Sequence, residues 1–382
     1  MKKQMIANVA VLLAVMVLCV MAGGDFLKMQ KEEPFYTANP NLTKTLRLSD
    51  YNPNLKGTGG DVDIYVFDSG VPGGKALVYG GTHTNEISAA LSANTFLENA
   101  KCEQGILYVI VHANNSGFSH TEPLRAQMGY MTFALPDGST REFRVGTRLT
   151  NPVHQWPDPN YRFNRSGREL KHDEVAEIRN LNRNHPGVED GYLTEAVCYG
   201  IYNLIKTENI DLVYDGHEAG PEFARVNYVI AHERAMTMTS SAVMNCNILG
   251  LPHKVDISGK SSNGLSHRSL GDNTEALCTL FETLNPVMGP CHDKVTEELV
   301  KGGVSPNYVK ISDKGGILTS CAMTDAGSPI EERVAYHFAM ATELLTALGE
   351  YYPGKEVVVT GLPTPEEIMT KGLEQILKPL AA

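Results

Sequence analysis

His83 and Glu86 lie three positions apart, and both are residue types that can bind a metal ion. An apolar run over 76–79 precedes them and predicts a buried strand, and an alanine- and leucine-containing stretch over 87–97 predicts a helix. The two side chains would therefore lie on a glycine-opened turn at the carboxyl end of a strand, where open α/β sheets place their ligand sites. By itself the H-x-x-E pattern is a weak signal, and a solvated helix start is the alternative interpretation.

His217 offers a third ligand. It closes the apolar segment 210–217, a second predicted buried strand that ends in Asp-Gly-His. Because the carboxyl ends of parallel strands meet at one edge, His217 could share that edge with His83 and Glu86. Zinc binds imidazole nitrogen and carboxylate oxygen, and a catalytic zinc keeps three protein ligands. Asp215 could orient a ligand from behind. A strand-end histidine bonded to the backbone is the alternative.

The segment 181–187 reads L-N-R-N-H-P-G and lies between these two parts of the chain. The order G-x-H-x-N-E, then L-N-R-N-x-P-G, then D-G-H resembles the zinc carboxypeptidase superfamily, and most of all its succinylglutamate desuccinylase/aspartoacylase branch. The stretch 187–218 is especially similar to that branch. The resemblance covers residues 60–345, approximately, and its short motifs occur in the expected order.

The fold that the resemblance implies is α/β. It is a three-layer sandwich of the phosphorylase/hydrolase-like type, with a mixed, mostly parallel central sheet and helices on both faces. Apolar residues recur at helical spacing over 193–205, between two predicted strands, and this β-α-β order agrees with such a fold. We expect a linker over 23–58, a zinc hydrolase catalytic domain over 59–350 and a C-terminal extension over 351–382.

The resemblance also implies one zinc ion per chain, bound by His83, Glu86 and His217. In the family a catalytic glutamate lies on a late strand. The apolar segment 276–283 is a predicted strand with a carboxylate near its exposed end, and this makes Glu282 the expected general base. An edge-strand glutamate without a catalytic role is the alternative.

Two further motifs point to substrate binding. Asn182 and Arg183 match the family's N-R pair and would hold a substrate carboxylate, since the planar guanidinium suits bidentate pairing. The aromatic-R-x-x-R-S stretch of the carboxypeptidases, whose first arginine polarises the scissile carbonyl, matches Arg162. The distance from that residue to the N-R pair differs from the family's, and Arg165 and Arg179 remain alternatives.

The segment 118–178 contains five prolines and is predicted to be irregular. A loop of this length inside a domain is usually functional. Because it precedes the L-N-R segment, we expect it to shape the substrate pocket.

Together these features predict a zinc-dependent hydrolase that cleaves the amide bond of a small, carboxylate-bearing substrate, as an N-acyl amino acid deacylase does. One alternative is a secreted carboxypeptidase acting on peptides or cell-wall stems, which needs the same ligands. A more distant alternative is a non-catalytic exported binding protein on a hydrolase fold. The presence of three ligands, a base and the N-R pair argues against that last class.

The N-terminus and the charge bear on location and partners. Residues 1–22 combine a basic start, an apolar core and a Val-Met-Ala ending, which is typical of a secretory signal, with an uncleaved membrane anchor as the alternative. We therefore expect an exported protein, either periplasmic, extracellular or anchored on the outer side. The net charge of −11 argues against nucleic acid and anionic membrane surfaces as partners. The expected partner is a small molecule or short peptide, with membrane contact only through an uncleaved N-terminus.

Overall fold

The computed structural model describes residues 2–31, 35–121, 128–157, 177–315 and 323–380. Arg162 and Arg165 lie outside these ranges. The strands are β1 (Lys44–Arg47), β2 (Asp63–Asp68), β3 (Lys75–Tyr79), β4 (Lys101–Gln104), β5 (Ile106–Ile110), β6 (Tyr130–Ala134), β7 (Thr140–Arg144), β8 (Leu212–Ala219), β9 (Tyr228–Ala231), β10 (Lys254–Ile257), β11 (Leu277–Leu284) and β12 (Val358–Thr360). The helices are α1 (Lys2–Gln30), α2 (Ile87–Asn99), α3 (Asn115–Phe118), α4 (Leu193–Glu208), α5 (Met236–Ile248), α6 (Ser266–Asn273), α7 (Glu297–Gly302), α8 (Pro306–Asp313), α9 (Ile330–Tyr351), α10 (Pro365–Lys371) and α11 (Leu373–Ile376).

Eight strands form the central sheet in the order β1-β2-β5-β3-β8-β11-β9-β10. The four central strands β5, β3, β8 and β11 run parallel to one another. Antiparallel pairs occur towards the edges, where β2 joins β1 and β5, and where β9 joins β11. The sheet is therefore mixed and mostly parallel, as predicted.

Helices cover both faces of this sheet. Along β3, Ala76 and Val78 belong to one hydrophobic core, and Leu77 and Tyr79 belong to a second core on the opposite face. The first core packs against α2, α5 and α9, and the second packs against α4. Strands buried on both faces have continuous apolar sequences, and this is why the central strands could be recognised. The predicted three-layer α/β sandwich is confirmed.

The carboxyl edge of the central strands holds the candidate metal-binding residues. After β3 the chain turns at Gly81, which has a positive φ of 73°. A Cβ atom there would lie 2.7 Å from the carbonyl oxygen of Val111, so a side chain would not fit. This turn delivers His83 and Glu86 to the start of α2, directly beside the end of β8.

The segment predicted to be irregular contains a hairpin. β6 and β7 pair antiparallel, with Met131 opposite Phe143. Buried side chains alternate with more exposed ones along both strands, and Pro136, Asp137 and Gly138 lie in the connection between them. The prediction was therefore wrong for these residues, because the period-2 alternation of a strand was present there. Residues 158–176 of the same segment lie outside the described ranges.

Regular structure also occurs in the ranges expected to be a linker and an extension. Within 23–58, α1 continues to Gln30 and β1 adds a strand at one edge of the sheet. Near the other end of the chain, Ile368 and Leu373 are fully buried in the first hydrophobic core. Both flanking segments therefore pack on the central domain.

Helix α1 is long and apolar enough to cross a membrane. Its apolar side chains are exposed over most of its length, but Met29 near its end is buried. Beside it, the Lys28 ammonium lies 2.8 Å from the Glu142 carboxylate. The contacts of Met29 and Lys28 would both survive cleavage after residue 22.

We expect the exported protein to begin near Gly23. The basic start and apolar core are typical of a secretory signal, and the contacts of Lys28 and Met29 lie beyond the predicted cleavage point. N-terminal sequencing of the protein recovered outside the cytoplasm checks this. Ala22→Tyr, which replaces the small residue before the cut, should slow processing. A full-length product that stays embedded in the membrane would contradict the prediction and support the anchor.

Candidate metal centre and substrate pocket

Three side chains from distant parts of the chain meet at the carboxyl edge of the sheet. Nδ1 of His83 lies 2.7 Å from Oε1 of Glu86, and Nδ1 of His217 lies 3.0 Å from Oε2 of Glu86. The two Nδ1 atoms are 3.2 Å apart. All three side chains are at most 4% exposed. The structure therefore brings together the three residues that the sequence suggested as metal ligands.

The outer nitrogen of each imidazole is held from behind. Nε2 of His83 lies 2.8 Å from Oδ1 of Asn180, which also accepts a backbone N–H and is therefore an acceptor. Nε2 of His217 donates to Oδ2 of Asp215 at 2.9 Å. With the hydrogen on Nε2, a neutral ring leaves the lone pair of Nδ1 on the side of the cluster, where a metal ion would bind.

The electrostatics of the cluster formed by His83, Glu86 and His217 favour a cation. Burial would lower the pKa of His217, but the carboxylates of Asp215 and Glu86 outweigh it and raise that pKa well above its usual value. Burial would raise the pKa of Glu86, but His83 and His217 lower it below its usual range. Two imidazole nitrogens and a carboxylate are also the donor set of catalytic zinc sites. The residues therefore fit a zinc ion.

The groups behind the cluster are themselves fixed. Asp215 accepts from the hydroxyl of Thr82 at 2.9 Å and from that of Ser266 at 2.5 Å, in addition to His217. Oε2 of Glu86 accepts the backbone N–H of Glu218 at 2.9 Å. Hydrogen-bonded outer groups of this kind hold metal ligands in orientation. Asp215 thus lies where the sequence suggested, behind His217.

Glu282 lies on β11 directly opposite His217 on β8. Its side chain lines a cavity of about 340 Å³, together with His83 and Glu86. Burial, helped by the negative charge of Glu86, raises the pKa of Glu282 to about 8. A carboxyl group with a pKa near neutrality can both accept and return a proton. Glu282 therefore lies beside the cluster, where a general base would be needed.

Asn182 and Arg183 also lie on the wall of this cavity. They belong to a single turn of 3-10 helix, Leu181–Arg183. Oδ1 of Asn182 accepts the backbone N–H of Ser266 at 2.9 Å, and Nη1 of Arg183 donates to the carbonyl oxygen of Asn182 at 2.7 Å. Both residues predicted to bind substrate therefore line the same cavity as His83 and Glu86.

Arg148 is a pocket residue that the sequence did not indicate. It lines the cavity, and its Nη2 donates to Oε2 of Glu177 at 3.0 Å. Besides burial, its positive charge lowers the pKa of His83. Of the arginines that the motif suggested, Arg179 instead donates to the carbonyl oxygen of Thr150 at 2.8 Å. Among the described residues, Arg148 is thus the better-placed candidate for a carbonyl-binding arginine.

A second group of metal-binding side chain types does not form a comparable site. His232, Glu233 and Asp272 lie close together, but the Arg268 guanidinium occupies the space between them. Nη1 of Arg268 lies 2.6 Å from Glu233 and its Nε lies 2.6 Å from Asp272. The positive charge that these groups need is already supplied by the chain.

Solved structures similar to this chain are metallo-carboxypeptidases and succinylglutamate desuccinylase/aspartoacylase proteins. A metallo-carboxypeptidase from Burkholderia cenocepacia aligns at 11% identity and a TM-score of 0.44, over 86% of this chain and 69% of that protein. A succinylglutamate desuccinylase/aspartoacylase from Rhodobacter sphaeroides aligns at 14% and 0.41, over 80% and 61%. A putative carboxypeptidase A from Shewanella denitrificans aligns at 12% and 0.45, over 82% and 66%.

No family model matches the sequence, and no curated protein matches it either. The chain spans between 61% and 69% of the length of the three similar structures. At these TM-scores the similarities carry no argument about activity. The geometry of the site is therefore the basis on which a function is inferred.

Proposed function

We propose that this protein is a zinc-dependent hydrolase that cleaves the amide bond of a small, carboxylate-bearing substrate, of the N-acyl amino acid deacylase kind. The observation that carries the proposal is the meeting of two imidazole Nδ1 atoms and one carboxylate at 2.7–3.2 Å. The cluster opens on a cavity that also holds Glu282 and two arginines. The N-terminal helix supports an exported enzyme.

Zinc bound by His83, Glu86 and His217 would supply Lewis-acid chemistry, which polarises a carbonyl group and acidifies a water molecule. Glu282 accepts the proton of the attacking water on its carboxylate and then returns it to the leaving nitrogen. Its place opposite His217 allows both transfers to occur beside the scissile bond. The chain thus contributes one proton carrier to the reaction.

The arginines on the wall of the cavity bind the substrate at its carboxylate and at its carbonyl group. Asn182 and Arg183 bind its carboxylate, with the guanidinium donating two parallel hydrogen bonds. Arg148 donates to the carbonyl oxygen as negative charge develops there, in a pocket where such contacts are stronger than in water. Its orientation is set by the hydrogen bond from Nη2 to Glu177.

A hydrolysis screen on zinc-analysed protein tests the proposal. The panel contains N-acyl amino acids with different acyl groups and short peptides with free carboxyl ends. Faster hydrolysis of N-acyl amino acids supports a deacylase, whereas hydrolysis of peptides alone would indicate a carboxypeptidase. No hydrolysis of either class by fully zinc-loaded protein would contradict the enzyme and favour a binding protein.

Arg183→Ala should mainly weaken the binding of substrates with a free carboxylate. A hydrogen bond to a charged group is worth about 1.5–3 kcal/mol, so KM should rise about 10- to 150-fold. The matched substrate is the carboxyl-amidated analogue, whose KM should change little. Arg47→Ala is a control, because Arg47 forms a partly exposed ion pair with Asp63 at the edge of the sheet. An equal effect of Arg183→Ala on both substrates would exclude the carboxylate-binding role.

A further inference from the structure

One carboxylate oxygen of Glu177 holds three side chains of the site. Oε2 of Glu177 lies 3.0 Å from Nη2 of Arg148 and 3.8 Å from Nε of Arg183, and it also accepts a hydrogen bond from Nδ2 of Asn180. The Glu177 side chain is only 8% exposed. Burial would raise its pKa, but Arg148 and Arg183 lower it to about 2. Glu177 is therefore a buried carboxylate that stays charged.

Asn180 connects the Glu177 carboxylate to His83, one of the three candidate metal ligands. Its side chain is fully buried, and its Oδ1 faces Nε2 of His83 at 2.8 Å. Nδ2 is bound to Glu177 and Oδ1 accepts the backbone N–H of Asn182, so the amide has one orientation, with the oxygen towards His83. That orientation keeps the hydrogen of His83 on Nε2 and leaves Nδ1 free to bind a metal ion.

The two imidazoles are thus held differently. His217 donates directly to the carboxylate of Asp215, which is itself fixed by two hydroxyl groups. His83 donates to the neutral amide of Asn180, and that amide in turn donates to the carboxylate of Glu177. For His83, the same carboxylate that supports the candidate metal ligand also accepts a hydrogen bond from Arg148 and forms a longer ion pair with Arg183.

We propose that Glu177 is a positioning residue that links metal binding by His83 to substrate binding by Arg148 and Arg183. The part of this proposal that concerns substrate binding (the substrate half) rests on the proposed function. The part that concerns metal binding by His83 (the metal half) does not. Without the charge of Glu177, Nδ2 of Asn180 is held less firmly and its amide is less polarised, while Oδ1 keeps the backbone N–H of Asn182. Oδ1 is then a weaker acceptor for Nε2 of His83, and hydrogen on Nδ1, the atom that should bind the metal, becomes more favourable.

Glu177→Gln tests the link, because glutamine keeps the shape and removes the charge. Zinc affinity of the purified full-length chain is measured by competition with a chromophoric chelator, which requires no turnover. Loss of an outer partner of a metal ligand typically weakens metal binding about 10- to 100-fold, and we expect a change in that range. KM for a free-carboxylate substrate should rise more than KM for its amidated analogue.

Glu98→Gln is the matched control. Glu98 lies at the opposite end of α2 from Glu86, and its carboxylate is 2.9 Å from Arg141 in a pair that is at most 1% exposed. This variant therefore loses the charge of a buried Glu–Arg pair without touching the site. Zinc affinity should stay within about twofold of the parent, well short of the range expected for an outer partner.

Asn180→Ala separates the two halves and serves if Glu177→Gln does not fold. It should weaken zinc about as much as Glu177→Gln, but it should leave the preference for a free carboxylate close to that of the parent. Unchanged zinc affinity in Asn180→Ala, or equal zinc affinity in Glu177→Gln and Glu98→Gln, would overturn the proposal. If no hydrolysis is found with any substrate, the zinc measurements still decide the metal half.

Discussion

Glu282→Gln should remove nearly all turnover while leaving zinc binding and folding intact. The change is almost isosteric, so packing on β11 should hold, but a neutral amide cannot accept the proton of a water molecule at neutral pH. General base catalysis is typically worth about 10²–10⁴ in rate, and the loss of kcat should be at least in that range. Steady-state kinetics on zinc-loaded variant and parent, with thermal unfolding of both, provide the measurement.

Activity within about tenfold of the parent, short of the usual general-base range, would exclude Glu282 as the base. From the sequence, Glu218 beside His217 would be the next candidate. In the structure its Oε1 accepts from Arg333 at 2.7 Å and from Ser88 at 2.6 Å, and the residue is 1% exposed. This carboxylate already forms a buried ion pair with Arg333, so Glu218→Gln should mainly lower the free energy of unfolding.

The buried strands and the meeting of His83, Glu86 and His217 could be predicted from local patterns, whereas the three-layer sandwich was implied by the family resemblance. Central parallel strands are buried on both faces and have continuous apolar sequences, as in β3 and β8. Once two such strands are parallel, their carboxyl ends must meet at one edge. The ligand types at those ends then follow directly from the sequence.

Arg148 could not be predicted from local patterns. It reaches the pocket because the chain after β7 packs on the turn that holds His83 and Glu86, where the hydroxyl of Thr84 donates to the carbonyl oxygen of Thr147 at 2.6 Å. Gly146 lies so close to that turn that a Cβ atom on it would come within 2.4 Å of the hydroxyl oxygen of Thr84. These contacts join segments more than 60 residues apart, and no spacing within either segment records them.

The local sequence indicates Glu177 and Asn180 only weakly. Both lie within six residues of Arg183, in a polar segment before the L-N-R motif. Buried polar groups require hydrogen-bond partners, so a cluster of them beside a recognisable motif is worth attention. Which partner each one takes depends on the approach of His83 and Arg148 from other elements, and the local sequence does not contain that information.

His217→Ala should abolish zinc binding. The variant keeps two of three ligands and leaves Asp215 and Glu86 without the ring that lies between them. Loss of a ligand should exceed the roughly 10- to 100-fold effect of losing an outer partner. Bound zinc stabilises only the folded chain, so a chelator should lower the Tm of the parent but not that of the variant.

The most direct test of the central claim is the zinc content of purified parent and His217→Ala after equal exposure to zinc and removal of the excess. The matched control is His253→Ala, which removes another buried histidine, one that contacts the carbonyl oxygen of Tyr336 at 3.3 Å. One zinc per chain in the parent and in His253→Ala, with almost none in His217→Ala, is the predicted result. Equal zinc in the parent and His217→Ala, or no zinc in the parent, would contradict the assignment of the site.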